Sequence, residues 1–219
     1  MTDAPLQDPA TTARSRGEVA GLAVLVVVSS VLAGLVLGWA LFGRGGFPLD
    51  GSAEAGFARD MQTHHGQAVE MSLLIDDRSN DPAIRILAKD IATSQQHQAG
   101  QMFGWLQVWG LSPTGSQPPM AWMGSEHHGA SSAPSAGGTV PMPGMASPAD
   151  LARLKAATGV EAEKIFLTLM IAHHKGGVEM ADAVLARSDV DVVVTLARSM
   201  KMAQTAEITA MQQLLAARS

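Results

Sequence analysis

Two pairs of adjacent histidines are the residues of this sequence whose type and spacing indicate chemistry. His64-His65 and His173-His174 are related by a constant offset of 109 residues. The same offset relates several residues around them: Phe57 and Phe166, Met61 and Met170, Met71 and Met180, Gln95 and Gln204, Gln98 and Glu207, and Met102 and Met211. An internal repeat of this length indicates that one structural unit occurs twice.

The apolar spacing around each pair is that of a helix with one buried face. In the first copy this face comprises Phe57, Met61, His64, Ala68, Met71 and Ile75; in the second it comprises Phe166, Met170, His173, Gly177, Met180 and Val184. His64 and His173 should therefore point into the core, whereas His65 and His174 lie about 100° round the helix, on its flank. The partner helices place Gln95, Gln98, Gln204 and Glu207 at about the same level.

In the first copy, the spacing predicts a helix over 52–76 and a second one that stops at Gly110. Asp81-Pro82 provides the N-cap and the first residue of that second helix. In the second copy, the pattern predicts helices over 160–187 and from Ser188 onwards.

Two further N-termini follow from capping residues. Ser188 is expected to cap the last helix, with Asp191 at its third position. Ser147-Pro148-Ala149-Asp150 predicts the start of a short extra helix that ends near Gly159.

Two short-looped helix hairpins joined by a long connection predict an all-α four-helix bundle over residues 50–219. The connection, 111–146, is rich in Gly, Ser and Pro and is predicted to be a flexible crossover. It carries further residues that could capture copper transiently, or that reflect an accidental Met and His content: Met120, Met123, His127, His128, Met142 and Met145.

A buried layer of His, Gln and Glu has two interpretations. It is either a hydrogen-bonded layer that fixes the register of the helices, with Met as adaptable filler, or a metal site. Imidazole suits zinc, copper, iron and nickel, and thioethers select copper(I) and similar soft ions. The repeated pairs favour a metal site, with copper as the expected ion, whose candidate ligands are His64, His65, His173, His174, Met61, Met71, Met170, Met180, Gln204 and Glu207.

Composition excludes several other classes of function. The sequence contains no Cys, which excludes disulfides, thiolate metal sites and thiol nucleophiles. The net charge is −5 and no basic stripe is present, so nucleic acid is not an expected partner. Neither a Glu-x-x-His di-iron motif nor a His-Glu-x-x-His zinc-protease motif occurs, and no catalytic set is predicted. A redox enzyme of the ferritin type is the weakest alternative.

The N-terminal region predicts a membrane anchor. Residues 1–18 form a tail, and residues 19–42 form an uncharged apolar run long enough to span a bilayer as a helix. A cleaved signal peptide is the alternative, although its apolar region is usually shorter. A long domain that follows such a helix is usually translocated, so we expect it outside the cytoplasm. Gly34 and Gly38 form one GxxxG pair, which indicates either a contact between two copies of the chain or the usual glycine content of membrane helices.

At these residues the chain resembles the domain-of-unknown-function family numbered 305. The resemblance covers about residues 50–219 and is most specific in 166–181, in Met142-Pro143-Gly144-Met145-Ala146-Ser147-Pro148 and in Gln204-Thr205-Ala206-Glu207. It implies a ferritin-like helical bundle with paired His-His motifs. Some relatives are periplasmic copper-binding proteins, so the resemblance implies a similar role here. The first copy departs from the family pattern, since Gln98 replaces a Glu and Thr63 replaces a Pro.

These observations lead to two hypotheses. The first is a membrane-anchored, extracytoplasmic protein that binds copper for sequestration or delivery, without catalysis. The second is a helical sensor, scaffold or partner-binding module in which the polar layer is purely structural. The two differ in whether a metal ion raises the melting temperature, because a ligand of the native state must do so.

Overall fold

The computed structural model describes residues 16–42, 46–124 and 142–218, and these ranges contain helices but no strands. The all-α prediction is therefore confirmed for the part of the chain that is described. The α-helices within these ranges are α1 (Arg16–Phe42), α2 (Ala53–Asp76), α3 (Pro82–Val108), α4 (Pro148–Ala156), α5 (Gly159–Leu185) and α6 (Asp191–Ala216). A short 3-10 helix spans Ala121–Met123.

The chain divides into two compact units, the first ending at Phe47 and the second beginning at Pro48. Helix α1 belongs to the first unit, and large apolar side chains are exposed along it, among them Val24, Leu25 and Leu35. Among the residues with a described structure, no helix combines the length and apolarity needed to cross a membrane. The predicted span over 19–42 stays a prediction.

The second unit consists of two helix hairpins. Helix α2 packs against α3, and α5 packs against α6; the hairpins meet mainly through α2 and α5, while α4 packs on both of these helices. The start of α2 and the end of α5 share one apolar cluster, which contains Phe57, Met61 and Met180. The end of α2 and the start of α5 share the other, which contains Met71, Phe166 and Met170. Helices α2 and α5 are therefore antiparallel.

Local capping residues explain where three of the helices, α2, α3 and α4, begin. Ser52 accepts a hydrogen bond from the Ala55 amide at 3.2 Å, and Asp81 accepts one from Ala83 at 2.8 Å. The short helix α4 begins where the sequence predicted a helix start, and Ser147 and Asp150 form a reciprocal capping box there. These contacts satisfy backbone amides that have no partner inside their own helix.

The predicted cap of the last helix is wrong. The N-cap of α6 is Val190, which provides no side-chain hydrogen bond, and Asp191 is the first helical residue instead of the third. The Ser188 hydroxyl accepts a hydrogen bond from the Val190 amide at 3.2 Å, and the Ser188 amide donates to the Val184 carbonyl at 2.9 Å. Ser188 is thus part of the turn that ends α5, two residues too early to cap α6.

Candidate functional site

All four paired histidines are buried between the two apolar clusters. His64, His65 and His174 have no exposed surface, and His173 is 1% exposed. His64 and His173 face each other across the contact between α2 and α5, as their position on the apolar stripe predicted. The flanking pair, His65 and His174, is equally buried, because the flank of each helix faces its own hairpin partner.

The four rings form a row across the domain in the order His65, His64, His173, His174, which we call the histidine row. The ring centres are 6.5 Å apart in the first pair and 6.3 Å apart in the second. The two central rings, His64 and His173, are only 3.7 Å apart and tilted by 34°. The row therefore joins the two hairpins through a close contact at its centre.

Each histidine donates its Nε2–H to an oxygen atom. The acceptors of the outer rings are the Gln98 side-chain oxygen, 2.8 Å from His65, and a Glu207 carboxylate oxygen, 2.7 Å from His174. His173 donates to the His64 carbonyl at 3.0 Å, and His64 donates to the Pro143 carbonyl at 3.1 Å. In a neutral imidazole, a proton on Nε2 leaves a free lone pair on Nδ1.

The four Nδ1 atoms are buried and have no hydrogen-bond partner. Burial also favours the neutral form of both rings in the first pair: desolvation lowers the pKa of His64 to about 4 and that of His65 to about 3. The pKa of His173 is likewise lowered well below its ordinary value, first by burial and then by the neighbouring histidines. These three histidines thus present neutral nitrogen donors in a dry core, where an unpaired polar atom is unfavourable.

Two glutamines add further polar atoms without partners. Gln95 on α3 and Gln204 on α6 are each 3% exposed. Both amide atoms of Gln95 and the side-chain oxygen of Gln204 lack a hydrogen bond. Gln204 packs on α5 where Gly177 has no side chain, since a Cβ there would lie 2.3 Å from its oxygen. The two glutamines therefore occupy matching positions in the repeat, but Gln95 has two amide atoms without a hydrogen bond and Gln204 has one.

The methionines of the predicted site are fully buried on either side of the histidine row. Met61 and Met180 belong to one apolar cluster, and Met71 and Met170 belong to the other. Of these four thioethers, each cluster therefore contains one from each copy of the repeat. Met61 and Met170 lie one helical turn before the core-facing histidine of their copy, on the same face.

A short backbone segment, which we call the strap (residues 142–146), covers the middle of the row. Its Pro143 carbonyl accepts the hydrogen bond from His64, and its Ala146 backbone exchanges two hydrogen bonds with the Gln67 amide, at 3.0 and 2.7 Å. Gly176 lets the strap approach α5, because a Cβ there would lie 2.1 Å from the Pro143 carbonyl oxygen. Gly144 adopts a φ of 74°, which favours glycine, against the Ala172 carbonyl.

The first part of the connection also packs on the helices. Met120 and Met123 are each 1% exposed, and Asp60 on α2 accepts hydrogen bonds from the Met120 amide at 2.7 Å and the Trp122 indole at 2.8 Å. Burial raises the pKa of Asp60, and these two donors oppose that shift. The sequence analysis did not identify Asp60, although a charged residue at the edge of the buried face of α2 was a usable signal. His127 and His128 lie outside the described residues.

The donor chemistry of the row fits a soft or borderline metal ion. Metal-bound histidines almost always donate their other ring N–H to a carboxylate or carbonyl oxygen, and this is the arrangement of all four rings. Within the ranges that the structure describes, however, no group of three or more His, Asp and Glu side chains is arranged as a single metal site. The arrangement therefore suits metal ions that are each held by two imidazole nitrogens better than a single ion with many ligands.

A buried histidine layer between two antiparallel helix hairpins defines an all-α class of repeat protein. The family model described as domain of unknown function (DUF305) matches residues 54–215, and the chain belongs to this family. The chain matches none of the curated proteins.

Solved structures share this fold. The chain is 45% identical to a DUF305 protein of Streptomyces coelicolor, with a TM-score of 0.69 and coverage of 78% of this chain and 96% of that one. A DUF305 fragment from Deinococcus radiodurans is 32% identical, with a TM-score of 0.60 and coverage of 75% and 95%. CopM in its Cu(I)-bound form is 23% identical, with a TM-score of 0.53 and coverage of 74% and 94%.

Proposed function

We propose that this protein binds copper(I) through its histidine row, for sequestration or delivery of the metal, with a ferritin-like four-helix bundle as the scaffold. The observation that carries the proposal is the set of four buried Nδ1 atoms without partners. Every one of these rings is held by an Nε2–H donated to an oxygen, so its free lone pair is fixed in orientation. Neutral imidazole and thioether groups are the ligands that copper(I) prefers.

The spacing of the rings favours two sites, one in each His-His pair. A ring-centre distance of 6.5 or 6.3 Å is wide enough for one ion between two rings, since metal–nitrogen bonds are about 2.0–2.1 Å long. The central distance of 3.7 Å between His64 and His173 is a direct ring contact that leaves no such space. Met61, Met71, Met170 and Met180 are the thioethers available to complete these sites.

The relatives support the same chemistry. CopM has been solved in Cu(I)-bound, Cu(II)-bound and Ag-bound forms, and it has the same fold at 19–23% identity. These ions share a preference for nitrogen and sulfur donors, which the present core supplies. At that identity the likeness concerns the fold, so the argument for copper here depends on this chain's own donors.

We also propose that α1 anchors the domain in the membrane, on its extracytoplasmic side. The support is the uncharged run over 19–42 and the exposed apolar side chains along α1, such as Val24 and Leu35. Exposed apolar surface of this extent is unfavourable in water and marks a contact with lipid or with another protein. Met in place of Cys also suits an oxidising compartment.

The test is a titration of the purified full-length chain with copper(I) in the presence of a competing chelator. We expect the wild-type chain to take copper from the chelator and the His64→Ala, His173→Ala double variant to lose most of this affinity. The matched control is His97→Ala, because His97 is exposed on α3 and its Nε2 hydrogen-bonds to Gln101 on the same helix. Equal affinity of the double variant and the wild type, with helical content unchanged, would overturn the proposal.

The second candidate is a structural polar layer in a sensor or partner-binding module. It is favoured by the lack of any three-residue metal cluster among the described side chains. On this alternative, copper(I) would not raise the melting temperature, and Met61→Leu and Met170→Leu would change neither stability nor binding. A rise in melting temperature with copper concentration contradicts it, because only binding to the native state produces one.

A further inference from the structure

The two ends of the histidine row terminate in groups of different charge. At one end, His174 donates to a carboxylate oxygen of Glu207 at 2.7 Å; at the other, His65 donates to the amide oxygen of Gln98 at 2.8 Å. The two contacts occupy equivalent positions of the repeat and have nearly the same length. The repeat therefore preserves the geometry of the contact but not its charge.

We infer that the His173–His174 pair is the first and tighter of the two cation sites, and that Glu207 is the positioning residue that sets this order. This inference rests on the proposed function and names the order in which its two sites fill. It assigns the two copies of the repeat different roles: the second copy retains the ion, and the first copy accepts a further ion only when the second is full.

The first reason is the basicity of the ligand. A carboxylate that accepts the Nε2–H of an imidazole increases electron density on the ring and strengthens Nδ1 as a donor. A neutral amide does so less, because it carries no net charge. Removal of such a supporting group typically lowers metal affinity by about 10- to 100-fold.

The second reason is compensation of charge in a buried site. A monovalent cation held by two neutral imidazoles brings one positive charge into the core, where an uncompensated charge is highly unfavourable. The carboxylate of Glu207 neutralises one such charge, whereas Gln98 neutralises none. Glu207 is also 26% exposed, so its own desolvation is incomplete. A second monovalent cation at the His64–His65 pair would add a charge without a counterion and would be repelled by the first.

The experiment is a titration of the full-length chain with silver(I), a monovalent soft ion without redox chemistry, monitored by NMR of ¹⁵N-labelled histidine side chains. In the wild type, we expect the first equivalent to shift the Nδ1 resonances of His173 and His174, and the second to shift those of His64 and His65. Glu207→Gln should reduce the affinity of the first step by about 10-fold or more and make the two steps similar.

The decisive variant carries the exchanged pair Gln98→Glu and Glu207→Gln, which keeps the composition and total charge of the protein. We expect it to fill the His64–His65 pair first, so that the order of the shifts is reversed. The single Gln98→Glu variant keeps Glu207 and adds a carboxylate beside His65. It should increase the affinity of the second step by about 10-fold.

Each outcome decides a separate point. Silver(I) that binds to the row in the same order and with the same affinities in all variants overturns this inference but leaves the proposed function in place. The same holds if the first equivalent shifts His64 and His65 in the wild type. Failure of silver(I) and copper(I) to shift any histidine of the row overturns the proposed function and this inference together.

Discussion

At the scale of single residues, three buried histidines, His64, His65 and His173, determine how the metal-free protein responds to acid. Burial lowers the pKa of His64 to about 4 and that of His65 to about 3, from an ordinary value of 6.5. Between these values the unfolded chain binds protons that the folded chain does not. The contribution of these neutral histidines to the free energy of unfolding is therefore fully present above pH 6.5 and is lost as the pH falls towards 4.

The corresponding prediction concerns urea denaturation of the metal-free protein between pH 7 and pH 5. The free energy of unfolding should fall below pH 6.5 by about 1.4 kcal/mol per pH unit for each buried histidine that stays neutral. His65→Gln should make this dependence shallower by one histidine. A midpoint that does not vary with pH over this range contradicts the assignment.

Gln95 gives a second prediction at the same scale. Both of its amide atoms are buried without partners, which is unfavourable by about 1–3 kcal/mol. We expect Gln95→Leu to stabilise the metal-free protein, by about 1 kcal/mol in urea denaturation, and to weaken copper(I) binding if the amide contributes to the site. A loss of stability above 1 kcal/mol would indicate that Gln95 has a structural role that its contacts do not reveal.

At the scale of elements, the strap is the part of the fold that depends most on close backbone approach. Gly176→Ala places a Cβ 2.1 Å from the Pro143 carbonyl oxygen, and backbone atoms cannot move aside without displacing the strap. We expect a loss of about 1–3 kcal/mol in stability and greater solvent access to His64. Urea denaturation and hydrogen exchange of the His64 ring measure the two effects.

The matched control for the strap is Gly66→Ala on α2. A Cβ at Gly66 would meet no atom within 4 Å, so the substitution removes only the flexibility of glycine. It should stabilise the protein by about 0.5–1 kcal/mol. If Gly176→Ala is as well tolerated as Gly66→Ala, the strap is not held against α5 in solution.

Some features of the helices and of their connections could be predicted from the sequence, and others could not. Asp81 and Ser147 were recognisable as caps, because an N-cap depends on a few adjacent residues. Ser188 was assigned wrongly because a serine two residues before a helix can instead stabilise the preceding turn. The strap was not predictable: its contacts join residues 79 positions apart, such as His64 and Pro143, and its composition indicated only a flexible connection.

The candidate site was likewise predictable only in part. Helical periodicity alone placed His64 and His173 in the core, and the repeat offset paired Gln98 with Glu207. The sequence pattern could not predict that Gln98 and Glu207 are contacted by the flanking histidines, His65 and His174. These contacts depend on how the helices of each hairpin are rotated when they pack. The free Nδ1 atoms follow from three-dimensional hydrogen bonding and have no signature in the sequence.

At the scale of the whole molecule, the two units of the chain should have separable roles. The unit that begins at Pro48 contains the complete histidine row, the strap and both apolar clusters. The unit that ends at Phe47 contains α1 and supplies none of the candidate ligands. Metal binding and attachment to the membrane are therefore expected to be independent of each other.

Deletion of residues 1–47 tests this separation. We expect the full-length chain to sediment with membranes and to resist extraction at high salt, because burial of apolar side chains is not screened by ions. The shortened chain should be released into the soluble fraction and should keep the helical content and copper(I) affinity of the second unit. If both chains partition in the same way, α1 is not the anchor; if the shortened chain loses copper(I) affinity, the two units are not independent.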